Sequence, residues 1–486
     1  MTKPAADTTP GARGLTRRTF LKHVMTIPLL SSLPYLATTS KAKTARTTTK
    51  QAPASERVNL ACCGIGARGA DVINALYGTG LVNIVALCDT DMGAPHTAEI
   101  LKKFPEAPRF QDFRTMLDKL GNQIDAVTAG VPDHAHFPIA MMAMSLGKHV
   151  YVEKPLGHTF REVELMMQAE KKYKVAAQMG NQGHSGANYF QFKAWVEAGV
   201  IKNVTRIVAH MNSSRRWHGW TVTALPAEQP VPATLDWDKW LSTVSHHAYN
   251  RKYVQGDWRC WFDFGNGALG DWGAHLLDTA HEFLDLGLPG EVSAVKLEGH
   301  NPFIFPQAST LSFKFPARGA LPPVEVLWYD GVHNLPPLPD GYGKSKLSAD
   351  IPPPTSGKLD DADLAPGKEI YGEGLVFKGG SHSSTLAIIP KEKMKGMVDQ
   401  LPKWPSHQSD HSLNFLRACK GQETCRSSFA VAGPLSQMLV LGGMAQRLNN
   451  KMVFDRATRQ ITNDPVANAL LEGPPPRPGW EQYYKL

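Results

Sequence analysis

The sequence predicts an α/β fold whose first domain is built on a doubly wound parallel sheet, and three observations carry the prediction. A glycine-rich turn, Gly64-Ile65-Gly66-Ala67-Arg68-Gly69, separates an apolar strand from a helical stretch. A second apolar strand, ending at Asp89, follows that helix and completes a strand, helix, strand unit. From Ile124 the chain repeats the alternation in IDAVTAGVPDHAHFPIAMMAMSLGKHVYVEKP, as a parallel sheet requires. The chain has 486 residues and 42% hydrophobic content, enough for two or three folded units.

The glycine turn predicts dinucleotide binding because of where it stands. Gly64 permits the tight turn, Gly66 lets the backbone approach a pyrophosphate, and Gly69 allows the helix to pack closely on the strand. Ile65, Ala67 and Arg68 complete the loop, and the helix N-terminus offers its amides to phosphate. Asp89 is positioned to accept hydrogen bonds from adenosine ribose hydroxyls and would repel a 2′-phosphate, which favours NAD. NADP stays open because Arg68 and His96 offer positive charge nearby, and Asp89 could instead cap a turn.

The formal charge of +8 belongs to the N-terminus, where residues 1–50 hold nine Lys or Arg against one acid. Residues 51–486 then carry 43 of each sign, so no net positive field remains to attract nucleic acid or an anionic membrane. Thr16-Arg17-Arg18-Thr19-Phe20-Leu21-Lys22, before a short apolar run broken by Pro28 and Pro34, resembles a bacterial twin-arginine signal. The resemblance implies a signal and linker over residues 1–50, a partnership with the twin-arginine export machinery and a periplasmic or otherwise exported destination. That route carries folded proteins, which implies a tightly bound cofactor. No stretch is long and apolar enough for a permanent membrane span. The six cysteines show no zinc-type pairs and read as core or inert thiols rather than a disulfide framework.

In the later part of the chain, Asp271, His275 and Asp278 stand at i, i+4 and i+7, on one face if the segment is helical. Oxidising a secondary alcohol needs a base near the hydroxyl, and histidine has the fitting intrinsic pKa. The plain alternative is that Asp271 and His275 form a satisfied polar pair in a core and that Lys154 is a solvated strand-end lysine. Asp133, His134 and His136, or His407, Asp410 and His411, lack a familiar metal-ligand spacing, so no metal is expected.

The glycine turn, Pro132 with His136, GKHVYVEKP and GDWGAHLLD occur in an order that is similar to the Gfo/Idh/MocA family of sugar and cyclitol oxidoreductases over most of residues 56–455. The resemblance implies a Rossmann domain over residues 56–180 and a C-terminal α/β domain with a largely antiparallel open sheet over 181–455. It implies cofactor contacts from the glycine turn, Asp89, Pro132, His136, Glu153 and Lys154. It also implies Lys154 beside the nicotinamide and the substrate hydroxyl, His275 as general base and Asp271 as an orienting group. Asn181, His184, Arg259 and Asp278 are the candidates for substrate contact, with Gln182 and the Ser213-to-His218 stretch as weaker ones. Trp258, Trp261 and Trp272 offer apolar surface to a sugar or simply fill a core.

Strands are expected in VTRIVAHMN, EVSAVKLEGH, STLSFKFPA and PVEVLWYDG, with an inserted loop over 334–378 and a proline-rich tail over 456–486. The family's use of its sheet face implies a homo-oligomer. The leading expectation is hydride transfer between a nicotinamide cofactor and a secondary hydroxyl of a sugar, glycoside or cyclitol. Two others stand beside it: a redox-neutral glycosidase or lyase acting through a transient keto-sugar, and a non-catalytic sugar-binding protein.

Overall fold

The computed structural model describes residues 52–342, 365–405 and 408–486. The twin-arginine segment at residues 16–22, and His407, lie outside that range.

The first sheet contains β1 (Val58–Cys63), β2 (Val82–Cys88), β3 (Arg109–Phe110), β4 (Ala126–Ala129), β5 (His149–Val152) and β6 (Ala177–Met179). All neighbours are parallel, in the order β3-β2-β1-β4-β5-β6. The apolar sequence of β1 follows from burial on both faces, since helices cover a parallel sheet above and below. The order reverses between β1 and β4, which opens a crevice beyond their C-terminal ends where ligands bind in such folds.

Three helices frame that crevice or brace it: α1 (Arg68–Gly78), α2 (Asp133–Ser145) and α3 (Phe160–Tyr173). Helix α2 is buried nearly all round, as its run FPIAMMAM demands. Helix α3 opens with a capping box in which Thr159 and Glu162 each accept the other's backbone amide.

The second sheet contains β7 (Arg206–Met211), β8 (Glu291–Glu298), β9 (Ala308–Phe315), β10 (Val324–Asp330), β11 (Gly367–Tyr371), β12 (Val376–Gly380), β13 (Ala387–Ile389), β14 (Lys451–Asp455) and β15 (Gln460–Ile461). Their order is β13-β12-β11-β7-β10-β9-β8-β14-β15. Every pairing is antiparallel except that of β7 with β10, so the expected largely antiparallel sheet is present. Helices α4 (Gly267–Leu276), α5 (Asp278–Phe283) and α6 (Phe429–Leu448) belong to this half. Leu439 of α6 lies against Gly273 of α4, and Gly442 of α6 against Leu269.

One segment differs from expectation, and the tail follows the ordered return along the body that its aromatic cluster suggests. Within the stretch read as a loop over 334–378, β11 and the start of β12 are sheet strands, with Gly367 to Tyr371 paired to β7 on one side and β12 on the other. The tail over 456–486 returns along the first domain. The Trp480 ring lies 4.2 Å from the Arg114 guanidinium and 6.0 Å from Phe113, and the Tyr484 hydroxyl donates to Glu162 at 2.8 Å. Among the described residues no helix is long and apolar enough to cross a membrane.

Candidate active site

The glycine turn closes the C-terminal end of β1. Gly64 sits at φ 75, and Gly69 lies so close to the Gly64 carbonyl that no Cβ fits between them. Gly130, after β4, presses on the same spot, where an added Cβ would come within 2.7 Å of Gly69 Cα. Gly130 was visible in AGVPDH but belongs to no fingerprint, so motif reading passed over it. Ala67 adopts φ 44 at the start of α1.

Asp89 faces the turn, but its oxygens already accept the amides of Ile65 and Asp91, each at 3.0 Å. Its carboxylate therefore organises the loop itself, with a second lone pair on each oxygen available for ribose. Among the described residues nothing accepts the amides of Gly66 and Ala67.

The Glu153-Lys154-Pro155 turn leaves β5 at the crevice. Glu153 is fixed by Arg68 Nε at 3.1 Å and by Gln182 Nε2 at 2.9 Å, so it is a bracket for the loop. Pro132 stands at the start of α2. Both ring nitrogens of His136 are engaged with backbone carbonyls, Pro155 at 2.8 Å and Val131 at 2.9 Å. His136 thus ties the EKP turn to the end of β4 rather than reaching outward.

Asp271, on α4, is the meeting point of the two halves. Lys154 Nζ donates to its carboxylate at 2.5 Å and to its backbone carbonyl at 2.7 Å. Arg215 donates to the other carboxylate oxygen, and Arg259 Nε lies 3.7 Å from the first. The Arg259 guanidinium is held over the Trp258 ring at 4.2 Å. Burial alone would raise the Asp271 carboxyl, but Lys154, Arg215 and Arg259 outweigh it and hold it well below the usual range.

One turn further along α4, His275 is 7% exposed, and its Nδ1 has no hydrogen-bond partner among the described residues. Burial, then the proximity of His382 and Lys154, press its pKa well below the usual 6.5, so the ring is neutral at neutral pH. The His382 ring stacks on it at 4.0 Å between centroids. His382 follows β12 in a left-handed turn of φ 54, and its amide donates to the His275 carbonyl at 3.2 Å. Sequence reasoning missed His382, because a single histidine in GGSHSS carries no spacing signal.

Asp278 does not continue the face of Asp271 and His275. The chain breaks at Leu277, where α4 ends and α5 begins, and Asp278 turns into a separate buried network. There His184 lies 3.2 Å from Asp278 and 2.8 Å from Glu282, and these two carboxylates raise its pKa to about 9 against the opposing effect of burial. The i, i+4, i+7 expectation fails because it assumed one unbroken helix. Asn181 is likewise committed elsewhere, accepting from the Ser427 hydroxyl at 2.6 Å. Of the substrate candidates, the structure joins Arg259, and Arg215 from the weaker Ser213-to-His218 stretch, to the Lys154, Asp271 and His275 group. The His134 ring is occupied by the Trp240 and Phe264 carbonyls, and among the described residues no group of three or more His, Cys, Asp or Glu could hold a metal.

Residues 58–181 match the oxidoreductase family model for an NAD-binding Rossmann fold, and residues 186–302 match its C-terminal alpha/beta domain. The chain belongs to the Gfo/Idh/MocA oxidoreductase family. Inositol 2-dehydrogenase of Salmonella typhimurium is 29% identical over 175 residues, 35% of this chain and 49% of that protein. A glycosyl hydrolase family 109 protein of Shewanella is 29% identical over 185 residues, 35% of this chain and 40% of that protein. The chain therefore spans about half the length of the curated Gfo/Idh/MocA relatives it matches. Among solved structures, a WlbA dehydrogenase from Chromobacterium violaceum in complex with NADH and UDP-GlcNAcA superposes with a TM-score of 0.54 at 14% identity, covering 82% of this chain and 97% of that one. An aldose-aldose oxidoreductase from Caulobacter crescentus gives 0.50 at 14% identity, with 82% and 100% covered. These two likenesses concern the fold.

Proposed function

We propose that this protein is an exported oxidoreductase that moves a hydride between a tightly bound NAD and a secondary hydroxyl of a sugar, glycoside or cyclitol. The observation that carries the reading is the Lys154 to Asp271 contact, which joins the EKP turn of the NAD-binding domain to α4 of the second. The glycine turn fits a dinucleotide, since the Gly66 and Ala67 amides stand free of other acceptors among the described residues and Asp89 retains lone pairs for ribose. When bound, NAD supplies the acceptor for the hydride leaving the carbinol carbon. His275, neutral and buried, takes the hydroxyl proton as that C–H bond breaks. Lys154 steadies the developing alkoxide with its remaining N–H, and Asp271 holds Lys154 in place. Export rests on the leader at residues 16–22, and a homo-oligomer on the resemblance to the family.

The relation to glycosyl hydrolase family 109 proteins favours a second reading, in which the hydride returns at the end of each turnover and a glycosidic bond is cleaved. One experiment separates the two. The protein is purified without added cofactor, its nicotinamide content is measured, and it is given a panel of free sugars, cyclitols and glycosides. Accumulating NADH with keto product supports the first reading. Released aglycone with no net NADH supports the second, and neither product in the presence of bound NAD would sink both.

A further inference from the structure

Resting on the reading that this site handles a sugar hydroxyl, we propose that the sugar carries a carboxylate, gripped by Arg215 together with Arg259. The starting point is charge. Lys154, Arg215 and Arg259 all converge on the single carboxylate of Asp271. Adding the next shell brings in Arg216 with its neighbour Asp257, and Asp133, which is also within electrostatic reach of Arg259 and Lys154. Four cations then face three carboxylates, and Asp133 is already occupied by the backbone and side-chain N–H groups of Asn266. Within this set the positive charges exceed the negative by one.

Burial makes that excess costly. The side chains of Arg215, Lys154 and Asp271 are 6%, 11% and 13% exposed, so water screens the excess poorly. Arg215 also has unused recognition capacity. Its Nη2 serves Asp271, while its Nε–H has no hydrogen-bond partner among the described residues. The neighbouring Ser213 hydroxyl, likewise buried, also lacks one there. A guanidinium presents its donors as a planar fork that matches a carboxylate, and the Arg259 fork is kept in a fixed plane by the Trp258 ring. A neutral sugar could satisfy the Arg215 Nε–H through a hydroxyl oxygen, but it would leave the excess charge uncompensated. A single missing charge suits a carboxylate better than a phosphate monoester, which carries roughly 1.5 to 2 negative charges at neutral pH.

The test is direct binding to the NAD-loaded protein, followed by calorimetry, using D-glucuronate against D-glucose, D-galacturonate against D-galactose, and glucose 6-phosphate. At least one uronate should bind about 30-fold or more tightly than its neutral partner, the size expected of a buried charged pair. Arg215→Gln should reduce that preference to within about threefold, and Arg215→Lys should restore part of it. Should Arg215→Gln not fold, as judged by circular dichroism, Arg259→Gln at a side chain 25% exposed should still cost the uronate about tenfold more than it costs the neutral sugar. Equal binding of acid and neutral sugars overturns the proposal while leaving the oxidoreductase reading intact. Tightest binding of glucose 6-phosphate overturns the carboxylate assignment. Binding of none of these sugars by the NAD-loaded protein overturns this proposal, and the oxidoreductase reading is then decided by the wider panel of cyclitols and glycosides.

Discussion

The rings of His275 and His382 are stacked face to face, 4.0 Å apart and 21° from parallel, although one lies on α4 and the other in the turn after β12. A proton on either ring opposes a proton on the other. His382 therefore helps to keep His275 in the form that can accept one.

His382→Leu should accordingly raise the pKa of His275 towards 6.5, though not fully, because burial is the larger cause and remains. The acid limb of kcat/KM should move to higher pH in the variant. A pH–rate profile with an unmoved limb would show that His382 does not tune His275.

The His184 network should leave its mark on stability. The folded pKa of about 9 lies above the ordinary 6.5, so the proton is bound more tightly in the folded state. This contribution is complete below pH 6.5 and fades as pH rises through 9. His184→Gln should lower the urea midpoint at pH 6 by an amount equivalent to about 2–4 kcal/mol. The gap between variant and wild type should narrow at pH 9.5; a constant gap would indicate packing rather than charge.

Asp271→Asn should be far more damaging than its conservative size suggests. It leaves Lys154, Arg215 and Arg259 in mutual repulsion at a poorly solvated site, a loss of about 3–5 kcal/mol. The melting temperature should fall, and high salt should recover part of the loss. Wild-type stability together with wild-type turnover would remove Asp271 from its assigned place.

Gly69→Ala and Gly78→Ala offer a paired test on one helix. At Gly69 the new methyl meets the backbone of Gly64 and Gly130, so both the turn and NAD retention should suffer. At Gly78 nothing lies within 4 Å, and the substitution should be neutral or stabilise by about 0.4–1 kcal/mol. Bound nicotinamide per chain and thermal melting report both.

What could be read in advance was whatever a local pattern determines. The parallel first sheet follows from the glycine turn and the spacing of apolar strands, and β7 to β10 from alternating runs such as STLSFKFPA. What escaped depends on partners distant in the chain. The helix break at Leu277 follows no proline or glycine, and it redirects Asp278 to His184. The sequence leaves Asp89 open between a ribose contact and a turn cap, and only the fold shows that the Ile65 and Asp91 amides already reach it. Arg215 in SSRRWH was one polar residue among several, and only the packing of α4 singles it out.

The return of the tail has a bearing on biosynthesis. Trp480 stacks on Arg114, Tyr483 and Trp480 both approach Phe113, and the Tyr484 ring lies 4.6 Å from Phe137 of α2. These aromatic side chains cover surface on the half of the protein that leaves the ribosome early, yet they are translated after the entire second sheet. The nucleotide-binding half thus cannot reach its finished surface during its own synthesis, and a nascent chain stalled before residue 480 would lack the aromatic rings that pack on Phe113 and Phe137.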